Sequence, residues 1–156
     1  MRAVVITVSN RSAAGSRPDT SGSLLADLLR SSGADVDDPA VIPDGAESVA
    51  AALRAALDSG ADVVVTTGGT GLSPTDRTPE GTRGVLDREA PGIAEAIRAA
   101  SRDTVPTSSL SRGLAGVAGR ALVINLPGSP GGVRDGMAVL DPLLAHAVEQ
   151  IHGGDH

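Results

Sequence analysis

Cysteine is absent from this 156-residue chain, and so are lysine and every aromatic residue. Without cysteine there is no disulfide, no iron–sulfur ligand and no thiol nucleophile. Without Phe, Tyr or Trp there is no stacking platform for single-stranded nucleic acid. Without lysine there is neither a P-loop lysine nor a Schiff-base lysine. A net charge of −6 also disfavours a nucleic-acid surface, so no nucleic-acid partner is expected. No run approaches the roughly 18 apolar residues of a membrane span. The apolar start at residues 3–9 lacks the basic region that opens a signal peptide. The expectation is a cytoplasmic protein with no membrane partner.

What remains is an aliphatic, glycine-rich chain. Apolar residues make up 40%, in the range of globular proteins, and the length suits one domain. All 13 basic residues are arginine, alongside 24 alanines and 20 glycines. That bias reads as GC-rich coding, so an arginine by itself points only weakly to bidentate chemistry.

Three β-branched runs stand out: 3–8 (AVVITV), 62–67 (DVVVTT) and 121–125 (ALVIN). They do not alternate polar with apolar, which predicts strands covered on both faces, as in a parallel sheet. A weaker run at 36–42 carries Asp37, Asp38 and Pro39 and predicts an edge strand, because proline cannot donate to a ladder. Helical faces alternate with these runs: Leu24, Leu25, Leu28 and Leu29; Val49, Leu53 and Leu57; Ile93 and Ile97; and a long stripe from Val133 to Ile151. Pro142 interrupts that stripe and predicts a kink or a restart with Asp141 as N-cap. Pro79 and Pro91 suit first helical turns after Thr78 and Ala90. Segment 113–125 reads as a hairpin turning at Ala118 and Gly119. Together these predict a single three-layer α/β domain over 1–152, with a mostly parallel sheet, helices on both faces and an antiparallel hairpin near 113–125. Residues 153–156 are expected to fray.

Ligands in open α/β sheets bind beyond the carboxyl ends of the strands. Four polar or glycine-rich loops fall there: Ser9 to Ser12, Pro43 and Asp44, Gly68 to Asp76, and Asn125 to Gly132. The glycines at 68–71 allow backbone N–H groups to approach an anion, or simply form a tight turn. The loop is neither a Walker loop nor a dinucleotide fingerprint. Asp76 precedes the helix too far to cap it; it is either a turn residue or a Mg²⁺ ligand beside a phosphate loop. Asp44, three residues before Glu47, reads on spacing as a helix N-cap with a capping-box partner. Ser9, Ser111 and Ser129 have no base near them in sequence. His146, His152 and His156 read as surface histidines, and His152 with His156 lacks the partners of a metal site.

Taken together, VSNRSAAG at 8–15, TTGGTGLSPTDRTPE at 66–80 and SLSRGLAGVAGRALVINLPGSPGG at 109–132 resemble the molybdopterin-binding family. That family includes molybdopterin adenylyltransferase, the molybdenum-cofactor biosynthesis protein B and the amino-terminal domain of gephyrin. The resemblance covers nearly the whole chain and implies a molybdopterin-binding domain over 1–152. It implies Mg²⁺-dependent transfer of AMP from ATP to molybdopterin, with release of pyrophosphate and hand-over to a molybdate-inserting protein. It assigns Asp44 and Asp76 as catalytic and metal-holding residues, overriding the capping reading of Asp44. It assigns substrate binding to Ser9, Gly68, Gly69, Thr70, Gly71, Ser111, Arg112, Asn125, Pro127 and Gly128. It further implies a homo-oligomer, a trimer or hexamer.

The chain departs from the family pattern at Asn10, where many members carry Asp. Asparagine keeps an acceptor and loses the charge, which leaves open a non-catalytic binding or scaffolding relative. An unrelated doubly wound phosphate or flavin binder is the third reading, disfavoured by the missing aromatics.

Overall fold

The computed structural model describes residues 1–155; His156 lies outside them. A seven-stranded sheet runs in the order β2-β1-β4-β7-β6-β5, with β3 also paired to β1. The three β-branched runs become its parallel centre: β1 (Arg2–Val8), β4 (Val63–Thr67) and β7 (Ala121–Leu126). Every residue of β4 and β7 is buried, which accounts for the continuous apolar runs.

The edge run divides in two. β2 (Asp35–Val36) and β3 (Ala40–Ile42) both pair parallel with β1, and residues 37–39 bulge between them. At the other edge, β6 (Ala115–Ala118) pairs antiparallel with β7 through the expected turn, where Gly119 takes φ 57°. A two-residue strand, β5 (Arg88–Glu89), extends this antiparallel part; two residues are too few to carry a sequence period.

Alternation along the strands builds two cores. Ala3, Val5, Val63, Val65, Leu122 and Ile124 meet α2 (Thr20–Ser31), α5 (Pro91–Ala100) and α6 (Pro130–Ile151) on one face. Ile6, Val8, Val64 and Val123 meet α3 (Ala46–Asp58) on the other, where α4 (Thr78–Arg83) packs against α3. A one-turn helix, α1 (Asn10–Ala13), follows β1, and a 3-10 turn covers Pro106–Leu110. Among the described residues no helix is long and apolar enough to cross a membrane.

Two expected helix boundaries are corrected. Arg77, not Thr78, holds the N-cap position of α4, because the Thr78 hydroxyl is turned inward to donate to the Gly68 carbonyl at 2.9 Å. α6 does not restart at Asp141: it runs unbroken through Pro142. Its buried stripe of Val133, Met137, Leu140, Leu144 and Val148 continues on both sides of the proline, and that burial outweighs one lost hydrogen bond.

Beyond Ile151, the Gly153 and Gly154 N–H groups donate to the Gln150 and Glu149 carbonyls. His152 caps α6 and is exposed, with Nε2 3.3 Å from an Asp62 carboxylate oxygen and 3.1 Å from the Arg120 carbonyl.

Pro142 is exposed and leaves the Ala138 carbonyl without its helical donor. Pro142→Ala is therefore expected to stabilise the fold by about 1–2 kcal/mol, after allowing for the looser unfolded chain. Thermal denaturation checks this; a lower melting temperature would contradict it.

Candidate functional site: two cavities around a glycine loop

Chain connections diverge between β1 and β4: from β1 the chain moves to β2 and β3 at one edge, from β4 to β5, β6 and β7 on the other side. Such a switch point opens a crevice at the strand ends. Gly68 closes the bottom of it. Its φ is 103°, and a Cβ there would run into the Val8 carbonyl at the end of β1. A Cβ on Gly128, after β7, would sit 3.1 Å from the Gly68 Cα. Only glycine permits three strand ends to approach this closely. Hydroxyls tie the same junction: Thr67 donates to the Pro127 carbonyl at 2.7 Å, and Ser21 to the Gly128 carbonyl at 2.8 Å.

Two adjoining cavities flank the loop, with Ser129 in the wall of both. The first, about 580 Å³, is the more polar of the two and carries Ser9, Asp19, Asp44, Gly68, Gly69 and Asp76. The second, about 310 Å³, is lined by Thr70, Gly71, Ser111 and Pro127 with an apolar wall that includes Ile97, Val105 and Leu110. The N–H groups of Gly69, Thr70 and Gly71 form no hydrogen bond among the described residues. Unspent main-chain donors in succession suit an anion.

The capping expectation for Asp44 is overturned. Gly45 is the N-cap of α3, with φ 138° and no side-chain cap bond, and the Ser48 hydroxyl donates back to the Pro43 and Gly45 carbonyls. Asp44 instead reaches across to α1. Its Oδ2 accepts from the Asn10 N–H at 3.2 Å, and its own N–H donates to Asn10 Oδ1 at 2.9 Å. That reciprocal link gives Asn10 its job: it needs only an acceptor oxygen, so the missing charge removes nothing from the link. Asn10 does not line either cavity.

Asp76 Oδ2 accepts from the Ser73 N–H at 3.1 Å and lies within 2.9 Å of where a Gly71 Cβ would be. A Gly69 Cβ would stand 3.3 Å from Asp44 Oδ1. Both carboxylates thus border the glycine loop, and among the described residues neither takes part in an ion pair. No cluster of three or more His, Asp or Glu suited to a metal exists among those residues. Asp44 and Asp76 are the residues that could hold a Mg²⁺ whose other positions go to water and phosphate; they do not form a closed structural metal site.

The remaining expected residues divide by position. Ser9 lies on the first cavity, and its hydroxyl caps α1 by accepting from the Ser12 N–H. Asn125 lines neither cavity. It is 3% exposed, donates to the Thr66 and Thr82 hydroxyls at 3.0 Å, and accepts from the Leu114 N–H at 3.0 Å. Its amide is spent inside the protein, holding β7, α4 and the segment after Ser111 together. Arg112 lines neither cavity either. Its guanidinium donates to the Gly71 carbonyl at 2.9 Å, the Asp76 carbonyl at 2.9 Å, and both Glu80 oxygens at 2.7 and 3.2 Å. The bidentate bond to Arg112 holds the Glu80 carboxyl below its ordinary value of 4.5. The pair therefore contributes stability above that pH and loses it as pH falls through the lowered value. Being about one-third exposed, it contributes little.

Glu80 was legible as the last residue of the glycine-loop motif, yet nothing in the linear spacing paired it with Arg112. Asp19, absent from the sequence-based expectations, caps α2 by accepting from the Gly22 N–H. Its second contact, the Thr7 hydroxyl at 2.8 Å, needs the fold.

Residues 4–146 match the family model described as "Probable molybdopterin binding domain". The chain belongs to this molybdopterin-binding family. It is 48% identical to a molybdopterin biosynthesis Mog protein from Mycobacterium ulcerans, superposing with a TM-score of 0.91 over 96% of this chain and 98% of that one. It is 40% identical to a molybdenum cofactor biosynthesis bifunctional protein from Synechococcus elongatus, over 99% of this chain and 48% of that protein. A molybdopterin adenylyltransferase from Helicobacter pylori is 44% identical over 59% of this chain and 52% of its own length. The chain spans about half the length of the bifunctional relatives it matches.

The packing of this loop depends on Gly69 remaining glycine. Gly69→Ala places a Cβ at φ 68° against the Thr78 hydroxyl, at an expected cost of about 1–3 kcal/mol. A melting temperature several degrees lower is expected; an unchanged one would contradict this packing.

Proposed function

We propose that the protein acts in molybdenum cofactor biosynthesis as a Mg²⁺-dependent molybdopterin adenylyltransferase. The observation that carries this reading is the pair Asp44 and Asp76, free of ion pairs, lining the first cavity beside the free glycine-loop N–H groups. Membership in the molybdopterin-binding family and the names of relatives support the substrate class.

On this reading the two-carboxylate cavity receives the nucleotide phosphates, and the cavity of Ser111 receives the pterin. A phosphate oxygen of molybdopterin attacks the α-phosphorus of ATP. The bond from that phosphorus to the bridging oxygen of the β-phosphate breaks, and pyrophosphate leaves with the electron pair. Phosphate monoesters are already nucleophilic near neutral pH, so the protein supplies positioning and charge stabilisation in place of a strong base. Mg²⁺, when bound by Asp44 and Asp76, neutralises charge on the phosphates. The free N–H groups of Gly69, Thr70 and Gly71 donate to phosphate oxygens, and Ser111 and Pro127 border the pterin. Ser9 and Gly128 line the crevice floor. A homotrimer or hexamer, a cytoplasmic location and hand-over to a molybdate-inserting protein complete the proposal.

Asp76→Asn and Asp44→Asn test it. Each keeps an acceptor for the Ser73 or Asn10 N–H, so the fold is expected to survive. Adenylyl transfer is expected to fall about 100-fold or more, the scale of losing one preorganised electrostatic contact, while molybdopterin binding persists. Near-normal turnover in either variant would overturn the metal-holding role; loss of pterin binding would argue against separate subsites.

A further inference from the structure

The wall between the two cavities is unusual in how it is held. The main-chain N–H of Arg112 donates to the Thr70 carbonyl at 2.8 Å, while its guanidinium grips the Gly71 and Asp76 carbonyls. One residue thus binds the 70–76 loop at three points. The residue before it, Ser111, lines the apolar-walled cavity, and the residue it grips, Asp76, lines the polar one. Glu80, on the first turn of α4, takes the other edge of the guanidinium and fixes its plane. Arg98 of α5 secures the same strip from behind, donating to the Ser111 carbonyl at 3.3 Å and the Gly113 carbonyl at 2.9 Å. Ser111 and the main chain that carries Asp76 are thus tied together through one residue, Arg112.

We propose that Arg112, oriented by Glu80, is a positioning residue that couples the two cavities, so that occupation of one raises the affinity of the other. The inference rests on the functional reading above and adds an energetic link between its two subsites. Both cavities take part of their lining from the segment that Arg112 holds, so a ligand that fixes that segment in one cavity also fixes it for the other. By reciprocity the same factor operates in both directions. A bidentate fork is needed for the grip, because a lysine at 112 is a point charge and cannot hold two carbonyls and a carboxylate in one plane.

The test measures the affinity of a non-hydrolysable Mg²⁺–ATP analogue by calorimetry, with and without saturating molybdopterin, for the natural protein, Glu80→Gln and Arg112→Lys. In the natural protein, molybdopterin is expected to tighten the analogue by about fivefold or more. In both variants the ratio is expected to fall toward one. Hydrogen exchange over 68–76 gives a second readout: protection by molybdopterin alone is expected in the natural protein and lost in the variants. A ratio that is the same in all three proteins, or equal to one in the natural protein, would overturn the coupling and leave the functional reading standing. Failure of the natural protein to bind either ligand would overturn both.

Discussion

The approach of three strand ends at Gly68 is the constraint on which the rest of the site depends. β1, β4 and β7 are parallel and buried on both faces, so their carboxyl ends converge on one edge whatever the loops contain. Convergence alone does not make a site; a side chain at position 68 would hold β1 off and fill the crevice floor. With hydrogen in that place, the Val8 carbonyl and the Gly128 main chain close around the loop, and α1 is brought within reach of the β3–α3 turn. The Asn10–Asp44 link follows from that closeness.

The packing also explains which polar groups are free and which are spent. Thr66, Asn125 and Thr82 satisfy one another beneath the loop, in a place where an unpaired amide would be costly. Arg112, held by Glu80, satisfies the loop's carbonyls from one side, and Thr78 does so from another. Left over are the N–H groups of Gly69, Thr70 and Gly71 and the outward oxygens of Asp44 and Asp76. Donors for anions and acceptors for a cation, side by side, are what a metal-bound phosphate requires. A charged, buried side-chain network would have had to be desolvated to do the same work.

Much of this was legible in the linear chain, and the failures have physical causes. Continuous β-branched runs identified the central strands because burial on both faces leaves no polar alternation. The helical faces followed from their period. Asp44 misled on spacing, since Asp followed three residues later by Glu is a sound capping pattern; the φ of 138° at Gly45 let the chain start the helix one residue later and freed the carboxylate. Pro142 misled because local chemistry argues for a break, whereas the decision belongs to a buried stripe on both sides of it. Arg112 and Asn125 were expected by resemblance to bind substrate, whereas both line neither cavity and act as internal ties, which appears only when the hydrogen bonds are traced. Spacing along a chain cannot reveal that Arg112 faces Glu80, 32 positions away.

The most direct test is a single-turnover reaction of the purified protein with molybdopterin, ATP and Mg²⁺, with the products separated and their masses determined. The account predicts adenylylated molybdopterin and pyrophosphate in equal amounts, and none of either when Mg²⁺ is chelated. Tight molybdopterin binding with no adenylylated product would contradict it and identify the chain as a binding relative in which the two carboxylates serve another purpose.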